Sequence, residues 1–288
     1  MSYTVVEAMA EECPVKVACR ALEVSVSSYY AWRERGPSAQ EQNDAALLPH
    51  IRRVYEDSRG LYGSPRVHAK LKQQGLVSSR KRVARLMRQA ALRSRRRVPR
   101  RSHTTDSRHA RPVAPNLLAR DFSAQAANEK WLGDIVGIWT DEGWLYLAAL
   151  LDTFSRMIVG WAMSELRDEA LVQAALDMAL ARRHLNPELI HHTDRGSQYT
   201  ADDYQATLRS KQVLISMSKK GDPLDNAMMD SFFSTLRAEL TELQHFHSRL
   251  QARSALFEFI EGFYNRQRLH SSLGYHSPTD FEAVHSIP

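Results

Sequence analysis

Cysteine is nearly absent. The chain has two, Cys13 and Cys19, in 288 residues. Two thiols make no disulfide framework, and with no histidine nearby they make no zinc finger. Both read as buried free thiols in a reducing compartment. Long apolar runs are also missing. The longest, residues 144–151, falls far short of the ~20 needed to cross a bilayer. Glu7, Glu11 and Glu12 stand where a secretory leader would have a basic start and an apolar core, so no leader is expected. The reading is a cytoplasmic, nucleoid-associated protein without a membrane partner. No heptad run is present, which excludes a coiled coil. Acid is missing from one stretch. Between residues 58 and 105 there is no Asp or Glu, against 15 Lys and Arg.

That last absence turns into the first positive signal. The net charge is +6, so the remainder of the chain is net negative. Such asymmetry points to an anionic polymer, double-stranded DNA above all, as partner of one half. The length allows about two domains, and a 43% hydrophobic content is ample for a core. Val15, Ala18 and Leu22 recur at helical spacing. Ser25, Ser27 and Ser28 are placed to cap a second short helix, and Gly36-Pro37-Ser38 breaks the chain. This predicts a helix-turn-helix over residues 1–45. A second, basic one is predicted over 46–101. It has a stripe of Leu48, Ile51, Val54 and Tyr55, a Gly60–Pro65 turn, a helix through Val67 and Leu71, and a last helix capped by Ser79. Val83, Leu86 and Met87 face inward there. Arg82, Arg85 and Arg88 fall outward, with Arg80 and Lys81 at the start and Arg95, Arg96 and Arg97 in the tail. These are candidates for phosphate contacts, whose affinity falls with salt. Residues 102–123 are polar, contain Pro112 and Pro115 and have no period; they read as a linker.

From there the pattern changes. Strands are expected at 131–139, 144–151 and 155–163, the first two joined by a turn at Asp141-Glu142-Gly143. Then follow a helix at 168–183, a strand at 188–192 ending at Asp194, a helix at 202–210, a strand at 213–216 and a helix at 224–240. A last helix spans about 249–264. Residues 124–288 thus form an α/β layer domain.

Three acids stand out in it: Asp134, Asp194 and Asp230. Asp194 and Asp230 have 35 residues between them. Separated carboxylates of this kind suit a two-metal phosphoryl-transfer site, in which shared oxygens hold two divalent ions roughly 3.5–4 Å apart. Strand alternation puts His192 and Asp194 on one face and His191 on the other. On the helix at 224–240, Asp230 shares a face with Arg237 and not with Glu239. Asp152 reads as a turn residue, and Asp225 and Asn226 as helix caps. Arg195, Lys219, Lys220 and Arg237 are further candidates for DNA contacts. His192, Asn226, Arg268 and His270 are candidates for supporting the site.

The motifs converge on one family. They are His192-x-Asp194-Arg195-Gly196-Ser197-Gln198-Tyr199, Gly221-x-Pro223-x-Asp225-Asn226-Ala227, Ser231-Phe232-Phe233-x-x-Leu236-Arg237, and Tyr264-Asn265-x-x-Arg268-x-His270-Ser271-x-Leu273-Gly274-x-x-Ser277-Pro278. Together they cover the chain nearly end to end. The sequence resembles the DDE transposases of bacterial insertion sequences, of the integrase-like type encoded by the second reading frame of the IS3 family. The resemblance implies a ribonuclease-H-like core whose first and fourth strands are neighbours, bringing Asp134 beside Asp194. It implies two Mg²⁺ ions on Asp134, Asp194 and Asp230, with Mn²⁺ able to substitute, and cleavage and strand transfer at terminal inverted repeats through a circular intermediate. It also implies oligomers on DNA and fusion by frameshifting to an upstream coiled-coil protein. One position departs from the pattern. The family usually has Glu where this chain has Asp230, one methylene shorter. Two other readings stay open: a DNA-binding regulator with an impaired site, and a tyrosine recombinase using Arg266, Arg268, His270 and Tyr275.

Overall fold

The computed structural model describes residues 2–94, 113–219 and 222–285. The chain divides into two units, Met1–Arg93 and Ser94–Pro288. The first is all helical. Helices α1 (Ser2–Met9), α2 (Val15–Ala21) and α3 (Val26–Glu34) enclose Val6, Ala18, Cys19 and Tyr29. Cys19 is the buried thiol, while Cys13 is half-buried. The Ser25 hydroxyl accepts the Ser28 N–H, which starts α3. Helix α4 (Ala39–Asp57) opens with a capping box between Ser38 and Glu41, so both ends of that turn are satisfied. Its buried stripe is Leu47, Ile51 and Val54. Leu48 and Tyr55, expected in that stripe, are half-buried at its margin. Helices α5 (Ser64–Gln73) and α6 (Arg80–Gln89) complete the unit, burying Val67, Leu71, Val83, Leu86 and Met87. Among the described residues, no helix is long and apolar enough to cross a membrane.

The second unit is built on a five-stranded sheet ordered β3-β2-β1-β4-β5. Strands β1 (Lys130–Thr140), β2 (Gly143–Asp152) and β3 (Ile158–Ser164) run as an antiparallel meander. Strands β4 (Ile190–Thr193) and β5 (Leu214–Met217) are parallel to β1. Asp141 and Glu142 form a two-residue turn, and Gly143 behind it has φ +104°, a conformation that favours glycine. Strand β3 begins later than its composition suggests. Asp152 Oδ1 accepts the N–H groups of Phe154 and Ser155 at 2.9 and 3.3 Å, and that turn occupies the start of the expected strand.

Helix α7 (Glu169–Arg182) is capped by Asp168, which accepts the Leu171 N–H at 3.1 Å. It buries Leu171, Val172, Ala175, Leu176 and Ala179 against the sheet, while Ala174 is exposed. Helix α8 (Asp202–Ser210) covers the same core through Tyr204 and Leu208. A 3₁₀ turn, Pro223–Asn226, leads into α9 (Ala227–Leu236), which passes into a π-helical turn, Arg237–Thr241. Helix α10 (Arg249–Phe257) likewise continues as π-helix, Glu258–Tyr264. The change of winding rotates the buried face: Phe259, Ile260, Phe263 and Tyr264 go inward and Phe257 is exposed. Asn265 then serves the edge strand. Its amide accepts the Ile158 N–H at 2.9 Å and donates to the Ile158 carbonyl at 3.0 Å, satisfying backbone groups that an edge leaves open. Helix α11 (Pro278–His285) is tied to α7 by two bonds from Arg183 to Glu282, at 2.8 and 2.9 Å.

Residues 113–123, part of the expected linker, lie against the core. The Leu117 N–H donates to Ser216 Oγ at 2.9 Å, Leu118 is buried, and Asn116 and Arg120 reach Asp225 at 2.9 and 3.3 Å. Residues 102–112 lie outside the described residues.

Strand β3 and α7 approach closely at Gly160. A Cβ there would stand 2.3 Å from the Ala175 carbonyl oxygen and 2.7 Å from Ala179 Cβ. Gly160→Ala is therefore expected to destabilise the fold by about 1–3 kcal/mol, as overpacking does. Urea denaturation of the full chain reads this as a lower midpoint; an unchanged midpoint would show that α7 can move away.

Candidate active site

The site is assembled by strand register. In the parallel β1–β4 ladder, Leu132 pairs with His192. Two residues further along each strand stand Asp134 and Asp194, so both lie on the same face of the sheet. The two strands come close at Gly133, where a Cβ would meet the His191 ring at 2.9 Å and Thr193 Cγ2 at 3.2 Å. Helix α9 is tethered to the same spot. Asn226 Nδ2 donates to the Gly133 carbonyl at 3.3 Å, and Asp230 follows one helical turn later. Asn226 makes no cap bond to its helix; its expected capping role passes to Asp222, which accepts the Leu224 N–H at 3.1 Å.

Electrostatics report the convergence. The half-buried Asp134 carboxyl is pushed well above the usual aspartate range, first by burial and then by the negative charge of Asp194, with a further push from Asp230. The Ile135 N–H, 2.7 Å from Asp134 Oδ1, and the charge of Arg167 pull the other way. Asp194 is held at the tip of β4, where its Oδ1 accepts the Gly196 N–H at 2.9 Å. A Cβ at Gly196 would come within 2.9 Å of that same oxygen, so glycine lets the loop fold tightly round it. Tyr199 is buried beneath, and its phenol is raised by burial and by the charges of Asp134 and Asp194. Asn226 Oδ1 is buried and, among the described residues, has no hydrogen-bond partner.

The other candidates distribute themselves differently. Both His192 ring nitrogens are engaged, Nδ1 by Ser216 Oγ at 2.8 Å and Nε2 by Ser218 Oγ at 3.1 Å. Burial lowers its pKa, so it serves as a neutral link between β4 and β5. His191 faces the opposite side, 2.7 Å from the Tyr204 hydroxyl, and burial depresses its pKa to about 3. Arg195 donates to the Ser218 carbonyl at 2.7 Å. Arg237 opens the π-helical turn, and Lys219 is exposed. Arg268, buried, makes two bonds of 2.7 Å to Glu239 and approaches His270 at 3.4 Å. This pair ties the π-helical turn after α9 to the C-terminal segment and leaves Glu239 outside the acid cluster. In the helical unit, Arg80, Lys81 and Arg88 are exposed. Arg82 and Arg85, expected to project freely, are both clamped at 2.6 Å by Asp44 of α4. Arg95, Arg96, Arg97 and Lys220 lie outside the described residues. Sequence reasoning missed Asp44, Arg167 and Tyr199. Tyr199 closes the Asp194 motif and could have been found there; Arg167 and Asp44 carry no local signal.

Family models match two stretches of the chain. An "Integrase core domain" model matches residues 124–223 and a second of that description matches 211–278, while an "HTH-like domain" model matches 41–100. The fold is thus an integrase-type, ribonuclease-H-like core with a helix-turn-helix-like region before it. Among relatives, the transposase for insertion sequence element IS904 of Lactococcus lactis is 42% identical over 88% of this chain and 99% of its own length. Transposase InsF for insertion sequence IS3A of Escherichia coli is 40% identical over 98% of each chain. Among solved structures, the HTLV-2 integrase catalytic core domain in complex with magnesium, in its trimeric form, aligns with a TM-score of 0.42 at 14% identity, over 56% of this chain and 99% of that one. On the full-length similarity, the chain belongs to the IS3-family insertion-sequence transposases.

The acid cluster has a thermodynamic consequence. A carboxyl whose pKa is raised on folding binds its proton more tightly in the folded chain. Stability is therefore lost as pH climbs from the ordinary aspartate range to the raised value. Asp134→Asn abolishes that loss. In EDTA at neutral pH this variant is expected to melt above wild type, since the neutral amide removes the cost of ionising Asp134 beside Asp194. Equal melting temperatures would mean that the three carboxylates do not oppose one another.

Proposed function

We propose that this protein is a polynucleotidyl transferase that cuts and joins DNA at the inverted-repeat ends of an insertion sequence, with Asp134, Asp194 and Asp230 as its catalytic carboxylates. The observation that carries the reading is the charge coupling among these three groups, which come from two parallel strands and one helix. The donor set fits divalent cations. The negative charges of Asp194 and Asp230 that oppose ionisation of Asp134 are relieved by positive charge, and Asn226, held to the Gly133 carbonyl, carries a buried acceptor, Oδ1, with no partner among the described residues. Asp134, Asp194 and Asp230 would hold two Mg²⁺, or Mn²⁺ in their place. When bound, such ions act as Lewis acids toward the phosphodiester and lower the pKa of a water.

The chain's own residues supply the positioning. Gly196 and the Ile135 N–H fix the two strand carboxylates, while Asn226 sets the start of the Asp230 helix. In the reaction, water displaces a 3′-oxygen from phosphorus at the element end. The freed 3′-hydroxyl then attacks a second phosphodiester in line, releasing another 3′-oxygen. No bond to the protein forms at either step. Residues 1–45 and 46–101 act as the grip on the DNA ends, with 124–288 as the catalytic domain. Arg80, Lys81 and Arg88 contact phosphates there, and Arg82 and Arg85 join them in an orientation set by Asp44. Arg195, Lys219 and Arg237 contact phosphate near the acids. The working form is an oligomer on DNA in the cytoplasm, joined by frameshifting to an upstream coiled-coil partner.

The test is joining of a labelled duplex bearing the element's terminus to plasmid DNA. Wild type is expected to join in Mg²⁺ and not in EDTA. Asp134→Ala, Asp194→Ala and Asp230→Ala fall to background while still binding the terminus. Asp230→Glu joins within about tenfold of wild type, roughly 1.4 kcal/mol in barrier. Joining in EDTA, or by Asp230→Ala, would refute the triad; silence of wild type with activity in Asp230→Glu would mark Asp230 as a lesion.

A further inference from the structure

A second cluster of ligand-type side chains lies away from the acids, at the far end of the β1–β2 hairpin. Asp141 sits in the two-residue turn. His245 and His247 lie in the segment between the π-helical turn after α9 and the start of α10. His245 Nε2 is 2.8 Å from Asp141 Oδ1, and His247 Nδ1 is 2.9 Å from Asp141 Oδ2. The imidazoles stand nearly perpendicular, with ring centroids 4.8 Å apart. One ligand atom from each of the three residues lies within 4.8 Å of the others. We propose that Asp141, His245 and His247 form a binding site for one Zn²⁺-class divalent cation, separate from the carboxylate triad.

The backbone around the cluster is held in place without a cation. The Asp141 N–H donates to the Phe246 carbonyl at 3.0 Å, and Phe246, between the two histidines, is buried. The His247 N–H donates to Gln251 Oε1 at 2.9 Å, and the Arg249 N–H to Glu142 Oε2 at 2.8 Å. The turn and the loop are therefore already docked, and little ordering is required when an ion enters. Two imidazole nitrogens and one carboxylate leave a fourth, water-accessible position. That is the donor set of three-ligand zinc sites, with bonds of about 2.0–2.2 Å. Imidazole suits Zn²⁺, Ni²⁺ and Cu²⁺, whereas Mg²⁺ prefers oxygen ligands, so the two sites sort their ions by chemistry. The cation replaces the protons now shared between each imidazole and Asp141. Each displaced proton moves to the other ring nitrogen of a neutral histidine or leaves to solvent from a charged one, so binding weakens in acid. The bound ion would staple the hairpin of the Asp134 strand to the segment that follows the Asp230 helix.

The probe is Zn²⁺ alone, titrated calorimetrically into the full chain with excess Mg²⁺ present to occupy the acid cluster. Wild type is expected to take up one equivalent in the micromolar range. Saturating Zn²⁺ should raise its melting temperature by about 5 °C. His245→Ala/His247→Ala and Asp141→Asn should lose both effects, and Asp194→Asn should keep both. Both histidines are exposed, so these variants fold, which far-UV circular dichroism verifies. Cobalt substituted at the site gives the visible absorption of a four-coordinate ion. The proposal is overturned if wild type takes up no Zn²⁺ in that range, if the histidine double variant binds as wild type does, or if Asp194→Asn abolishes uptake.

Discussion

Mutual repulsion of three carboxylates is the constraint around which the catalytic unit is arranged. Asp134 and Asp194 are half-buried and Asp230 is exposed; the charges of the latter two oppose ionisation of the first, and the rest of the structure must hold them there. Strand pairing does most of this. The parallel β1–β4 ladder pairs Leu132 with His192 and so sets Asp134 and Asp194, just beyond it, on one face of the sheet. Gly133 and Gly196 permit the close approach, because a side chain at either would collide with His191 or with the Asp194 carboxylate itself. In the proposed reading, a divalent cation would relieve that repulsion.

The third carboxylate is delivered by a helix, and its supports lie further out. Asn226 anchors the start of α9 to β1. Just before it, the buried Asp225 receives Asn116 and Arg120 from the 113–123 segment and the Lys219 N–H from the end of β5. Beyond α9, the Glu239–Arg268 pair fixes the π-helical turn. Breaking one partner of a buried pair costs about 3–5 kcal/mol, so Arg268 reads as part of the frame. The same pairing removes Arg268 from the set that a tyrosine recombinase would need.

Much of this was legible in the residues. The apolar segments at 131–139 and 144–151, with the Asp141-Glu142-Gly143 turn between them, mark the hairpin, and the Asp194 and Asp230 motifs mark two of the three acids. The ribonuclease-H-like strand order came from the resemblance, since periodicity cannot say which strands are neighbours. What stayed hidden has physical reasons. A π-helical turn leaves no trace in composition, so the helix phases after Leu236 and Phe257 shifted unannounced. Asp44 lies 38 and 41 residues from the arginines it clamps, outside the acid-free stretch that made those arginines look uncompensated. The 113–123 segment has the proline and polarity of a linker, yet its contacts with Asp225 and Ser216 are long-range and invisible locally.

The central claim is that Asp134, Asp194 and Asp230 bind divalent cations as one shared set of ligands. Thermal melting of the full chain across a Mg²⁺ titration tests it most directly, comparing wild type with the three single Asp→Asn variants. The expected result is a Mg²⁺-dependent rise in wild type that each substitution abolishes alone. A variant that keeps the full wild-type rise, Asp230→Asn above all, would contradict a shared site and separate that residue from the other two.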